Sequence, residues 1–167
     1  MSKRSEILKY IQEKIECAAL FDGPVFTSQD KAYTLEELPC SLLLIAKEKQ
    51  EVFTESRPRV IRKRAEVSLE MIAEHVTGVE EELHEIFSDL EYLILRDDTL
   101  GGIASRLMPD TLEFTSFMQG ERPIISGRLR FEVIYFESMA VQEDLPDLKL
   151  ESEITLTEEL NNGTGNK

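Results

Sequence analysis

The chain should fold as an α+β domain, a mostly antiparallel sheet with two principal helices packed on it. Three observations predict this. Residues 123–136 read PIISGRLRFEVIYF, with Ile125, Leu129, Phe131, Val133 and Tyr135 sharing one parity with Gly127 and Arg128, Arg130 and Glu132 on the other. That alternation suits a strand with one face on a core and the other in water. A second stretch places Ile61, Ala65, Val67, Leu69 and Met71 on one parity and Arg62, Arg64, Glu66, Ser68 and Glu70 on the other, which supplies a partner strand. Two further stretches repeat apolar residues every three or four positions and supply the helices.

Taken in order, residues 2–19 read as a helix opened by Ser2 or Ser5, with Ile7, Leu8, Ile11, Ile15 and Ala18 as its apolar stripe. Gly23 and Pro24 break it, and Val25-Phe26 is a short strand or an extended crossing. Residues 27–37 are polar and read as a surface loop. Pro39 then leads into an apolar run at 41–46, the length of a strand buried on both faces, and the charged residues 48–57 read as a connection ending at Pro58.

The alternating strand at 61–71 follows. Paired antiparallel with the strand at 123–136, it is expected to set Arg64 opposite Glu132, Glu66 opposite Arg130, Ala65 opposite Phe131 and Val67 opposite Leu129. Each opposite-charge pair would contribute a few tenths of a kcal/mol, roughly. A third strand lying between the two is the alternative. Thr77-Gly78-Val79-Glu80 matches a capping box, and Val79, Leu83, Ile86, Phe87, Leu90 and Ile94 form the stripe of the second helix. Glu80, Glu81 and Glu82 sit in its first turn, where the helix dipole favours negative charge; metal binding is the less economical reading of that triplet. Asp97-Asp98 and Gly101-Gly102 mark the exit. A weaker strand lies between Ile103 and Gln119, with Leu112, Phe114, Ser116 and Met118 on one parity, and Gly120-Glu121-Arg122 turns it into the last hairpin.

One domain is expected over 1–139, followed at 140–167 by an acidic C-terminal tail. Within the tail Leu148, Leu150, Ile154 and Leu156 alternate as an added strand at 148–156, the remainder being disordered. Across 167 residues, 41% hydrophobic, the formal charge is −14. Such a balance argues against DNA or anionic membrane as the main source of affinity, since both need basic patches. No apolar run reaches the length of a membrane span and residues 1–10 lack a signal-peptide core, so a cytoplasmic location is expected.

The chemistry-bearing residues are sparse. Cys17 and Cys40 have no CxxC spacing and read as two buried reduced thiols; His75 and His84 are nine apart, not at the spacing that puts two ligands on one helix face, and read as exposed. No nucleophile elbow, phosphate loop or zinc-protease motif is present, so no catalytic, cofactor or metal residue is assigned and no enzymatic activity is expected. The basic run at 57–64 has no interleaved aromatics for stacking on bases. Its arginines pair with glutamates inside the fold, meet another subunit, or contact nucleic acid; the first two suit an acidic chain better.

The order of these elements resembles the tail terminator family of long-tailed bacteriophages, the minor tail proteins similar to the U protein of lambda. The residues that carry the resemblance are Leu38-Pro39-Cys40 entering a strand, the alternation over 64–72, Thr99-Leu100-Gly101-Gly102 after the second helix, and Pro123-Ile124 leading to Val133-Ile134-Tyr135. It spans roughly 1–139; the tail beyond Ala140 is longer and more acidic than the family pattern. The resemblance implies a structural assembly protein of a phage or prophage. Its subunits form a ring, as a hexamer, that caps the tail tube, stops its polymerisation and joins the head connector. It implies partners in the tube and connector proteins, DNA at most passing through the ring, and residence in the bacterial host cytoplasm during assembly and in the virion tail afterwards. Arg62, Arg64, Glu66, Arg128, Arg130 and Glu132 are the candidate subunit or tail-tube contacts. The alternative is an acidic bacterial interaction module, an adaptor or inhibitor that engages a basic partner.

Overall fold

The computed structural model describes residues 1–27 and 35–139. The chain runs α1 (Lys3–Ala18), β1 (Val25–Phe26), a 3-10 turn (Leu35–Glu37), β2 (Cys40–Thr54), β3 (Arg59–Glu74), α2 (Val79–Leu95), β4 (Arg106–Gln119) and β5 (Arg122–Met139). The strands form one sheet in the order β1-β2-β3-β5-β4, antiparallel at every junction except β1 with β2. The expected α+β class holds, with both helices on one face. The alternating tail at 140–167 lies outside the described residues.

The helices form where the apolar spacing places them. Ser2 caps α1, accepting a hydrogen bond from the Ser5 amide at 3.3 Å, and Ile7, Ile11 and Ile15 are buried against the sheet. On α2 the buried stripe is Leu83, Phe87, Leu90 and Ile94. The expected capping box does not form: Gly78, at φ 88°, is the N-cap and no side chain bonds the helix start. Thr77 therefore sits one position too early to cap, and the three first-turn glutamates are left to answer the helix dipole.

Two expectations about the sheet are corrected. The segment at 48–57 is not a connection, because β2 continues through Thr54, pairing with β3 across a bulge between Ile45 and Lys47. Polar residues occupy both faces there, so no alternation announces the strand. The pairing of β3 with β5 is direct and antiparallel as expected, but the register is displaced by two residues. Ala65 faces Val133, Val67 faces Phe131, Arg64 faces Ile134, Glu66 faces Glu132 and Glu70 faces Arg128. A two-residue slip keeps every side chain on its own face, so the hydrophobic pattern cannot distinguish the two registers.

What distinguishes them is the helix above. Gly127 lies opposite Met71, under the ring of Phe87. A Cβ at Gly127 would come within 2.2 Å of that ring. The core thus closes around Phe87, Met71, Leu69, Phe131 and Tyr135, all buried. Cys40, Ile72 and Ile124 form a smaller buried cluster on the opposite face, beneath Phe26, Leu38 and Leu42.

The exit from α2 is tied by one carboxylate. Asp97 accepts hydrogen bonds from the Tyr10 hydroxyl at 2.6 Å, the Thr99 hydroxyl at 2.9 Å and the Gly101 amide at 2.7 Å. These donors, Tyr10 first, hold its carboxyl well down, at about 2. The turn they brace includes Leu100, buried and at φ 49°. Replacing Asp97 by alanine should lower unfolding stability by about 2 kcal/mol in chemical denaturation, since four donors, the Thr99 amide among them, lose a charged acceptor. An Asp97→Asn variant, which keeps an oxygen in place, should recover part of it.

Candidate functional site

The face of the sheet away from the helices collects the residues that the sequence singled out. Arg62, Arg64 and Glu66 on β3 and Arg128, Arg130 and Glu132 on β5 are all half-buried and share this face. The register adds neighbours that periodicity alone did not place there. Lys47 lies opposite Glu66, Lys49 opposite Arg64 and Glu51 opposite Arg62 on β2, while Arg106 and Glu113 join from β4. With Glu70 and Glu74 on β3 and Arg122 on β5, the open face carries eight basic and six acidic residues in a chain whose formal charge is −14. It is a cationic side on an acidic protein.

These charges divide into two groups. Arg128 donates to Glu70 at 2.9 Å, and Arg130 approaches Glu113 at 3.8 Å, so both are paired within the fold. Arg62, Arg64, Glu66 and Glu132 make no side-chain hydrogen bond or ion pair among the described residues. For Arg64 and Glu132 the cross-strand neighbours explain why, whereas Arg62 lies opposite Glu51 and Glu66 opposite Lys47 without forming an ion pair. Arg64 faces Lys49, and Glu66 faces Glu132, so two like-charged pairs stand side by side where opposite charges were expected. Like charges directly opposite on a sheet are unfavourable by tenths of a kcal/mol, roughly.

On the helix side, one charged knot escaped sequence reading. Glu48 accepts two hydrogen bonds from Arg4, at 2.9 and 2.7 Å, one from the Tyr135 hydroxyl at 2.5 Å and one from Gln50 at 2.9 Å. Lys63 lies 3.9 Å from Glu48 and pairs closely with Glu137. The Arg4 guanidinium, with help from Tyr135, holds the Glu48 carboxyl at about 2, and burial pushes the Tyr135 hydroxyl up. The knot joins α1 to β2, β3 and β5, and every member is satisfied. Its chemistry is fastening.

The thiols separate as well. Cys40 is buried, and burial, with Glu37 and Glu70 nearby, pushes it up to about 11. Cys17 is exposed, contrary to expectation, because it falls on the outer side of α1 beyond the Ile7-Ile11-Ile15 stripe. His84 is exposed and packs its ring 4.2 Å from that of Phe114. Among the described residues no helix is long and apolar enough to cross a membrane, and no group of three or more His, Cys, Asp or Glu is placed to hold a metal ion.

A scan of the chain against protein-family models gives no match, and neither does a search among curated proteins.

Proposed function

We propose that this protein is a structural assembly subunit of a phage or prophage tail, similar to a tail terminator, which forms a ring on the tail tube and joins it to the head connector. The two like-charged pairs on the open face carry this reading. Lys49 beside Arg64 and Glu66 beside Glu132 disfavour the isolated subunit, and of the four only Glu66 has an opposite charge, Lys47, across its other neighbouring strand. Residues that disfavour the free fold in an otherwise consistent sequence serve a partner. A protein surface that presents an anion to Arg64 and a cation to Glu132 relieves both.

Light scattering on the purified protein tests the ring. A particle of six times the 19.1 kDa subunit mass, annular in negative stain, is expected. A monomer at every concentration overturns it. The open face is tested by Arg64→Glu with Glu132→Lys, which turn both like-charged pairs into opposite pairs. Folding stability should hold or rise by a few tenths of a kcal/mol, roughly, while a phage carrying the double variant should make tails of uncontrolled length. Normal tails would mean that this face is merely solvated.

One observation favours a second reading, an interaction module for a basic partner. α2 carries Glu80, Glu81, Glu82, Glu85, Asp89 and Glu91 and no lysine or arginine. A monomer that captures a basic protein through α2 would support it.

A further inference from the structure

The sheet outruns the helices that cover it. At roughly 3.3 Å per residue the 16 residues of β3 extend about 53 Å, whereas the 16 residues of α1 rise about 24 Å. Past Glu48 and Ala65, β2, β3 and the end of β5 continue as a three-stranded tongue with no helix above it. Its tip is apolar and exposed: Val52, Phe53 and Met139 are 53%, 59% and 58% accessible. The ring of Phe53 stands edge-on to Phe136 at 4.9 Å, and a shallow cavity opens between Arg57, Pro58, Arg59 and Met139. Residues 49–64 and 135–139 together hold six basic side chains against three acidic ones.

A surface of opposite character lies elsewhere on the same chain. Glu81, Glu85 and Asp89 follow one another along the outer side of α2, and the row ends in Tyr92 and Leu95, 70% and 37% exposed. Aromatic and aliphatic side chains beside charges of one sign form a counterpart to the tip. Two different patches that complement each other on one chain associate head to tail, and head-to-tail contacts close into rings when the rotation permits. We propose that the tongue tip of one copy seats on the outer face of α2 in the next. Phe53 and Met139 then pack on Tyr92 and Leu95, and Arg57 and Arg59 meet Glu85 and Asp89. This rests on the ring reading and supplies its subunit contact, which leaves the open sheet face for the tube or connector.

Two full-length variants test it. Arg57→Glu with Arg59→Glu reverses the tip, and Glu85→Lys with Asp89→Lys reverses the helix; all four side chains are exposed and make no contact that the fold needs. In sedimentation velocity each variant alone should associate at least about tenfold more weakly than the wild type, because like charges now meet. An equimolar mixture should assemble again, since each reversed surface finds its complement on the other variant. Circular dichroism checks that both are folded. If each variant alone keeps the wild-type mass, or the mixture stays monomeric where the wild type assembles, this contact is overturned and the ring stands. A wild type that is monomeric at every concentration overturns both.

Discussion

Replacing Gly127 by valine should destabilise the protein by about 3 kcal/mol and lower its melting temperature by about 10 °C. The cause is local. Gly127 leaves room on β5 for the ring of Phe87, where even a single Cβ would meet that ring at 2.2 Å. Phe87 is fully buried and cannot swing aside, so α2 has to lift from the sheet or the strand has to bend. Gly127→Ala should cost less, and combining it with Phe87→Leu should restore part of the loss. A double-mutant cycle measured by chemical denaturation separates this from a general strand effect. Additive losses in the cycle would show that the two residues do not share the space.

The second large effect is expected at Glu48. Its side chain is 8% exposed and accepts from Arg4, Tyr135 and Gln50, so Glu48→Ala strands the Tyr135 hydroxyl and leaves Lys63 with Glu137 alone. A loss of about 2 kcal/mol is expected, because the buried Tyr135 hydroxyl loses its acceptor while the half-exposed Arg4 can return to water. The pH dependence has a definite sign. The folded carboxyl sits at about 2 against an ordinary 4.5, so it binds a proton more readily in the unfolded chain. Its contribution is complete above pH 4.5 and drains away as the pH falls towards about 2. Asp97, held at about 2 against 3.8, adds to the same acid limb. Unfolding free energy followed from pH 6 to pH 2 should therefore fall less steeply in Glu48→Gln than in the wild type. Parallel curves would show that Arg4 and Tyr135 do not favour the charged form.

Much of this was legible in the chain. Periodicity identified both helical stripes, the two long strands and the faces they present, because burial on one side imposes a period that side chains cannot hide. All six charged residues singled out from the sequence lie on the open face for that reason. The register was not legible, since a slip of two residues preserves the period and Gly127 reveals its partner only when Phe87 is above it. Nor was the second half of β2: between Lys49 and Thr54 no helix covers the sheet, so nothing selects apolar residues on one side. The knot around Glu48 was hidden by distance along the chain, because Arg4, Glu48, Lys63 and Tyr135 come from four separate elements.

The placement of β4 at the end of the sheet bears on how such a subunit stays dispersed. Among the described residues β4 pairs with β5 alone, and along the other side of its 14 residues they leave an edge on which another chain's strand would otherwise zip. Pro109 has no N–H to offer, and the register breaks between Pro109 and Thr111. The run of backbone donors is interrupted after the first three residues of the strand. Another chain's strand laid along the start of this edge therefore meets a break in the ladder.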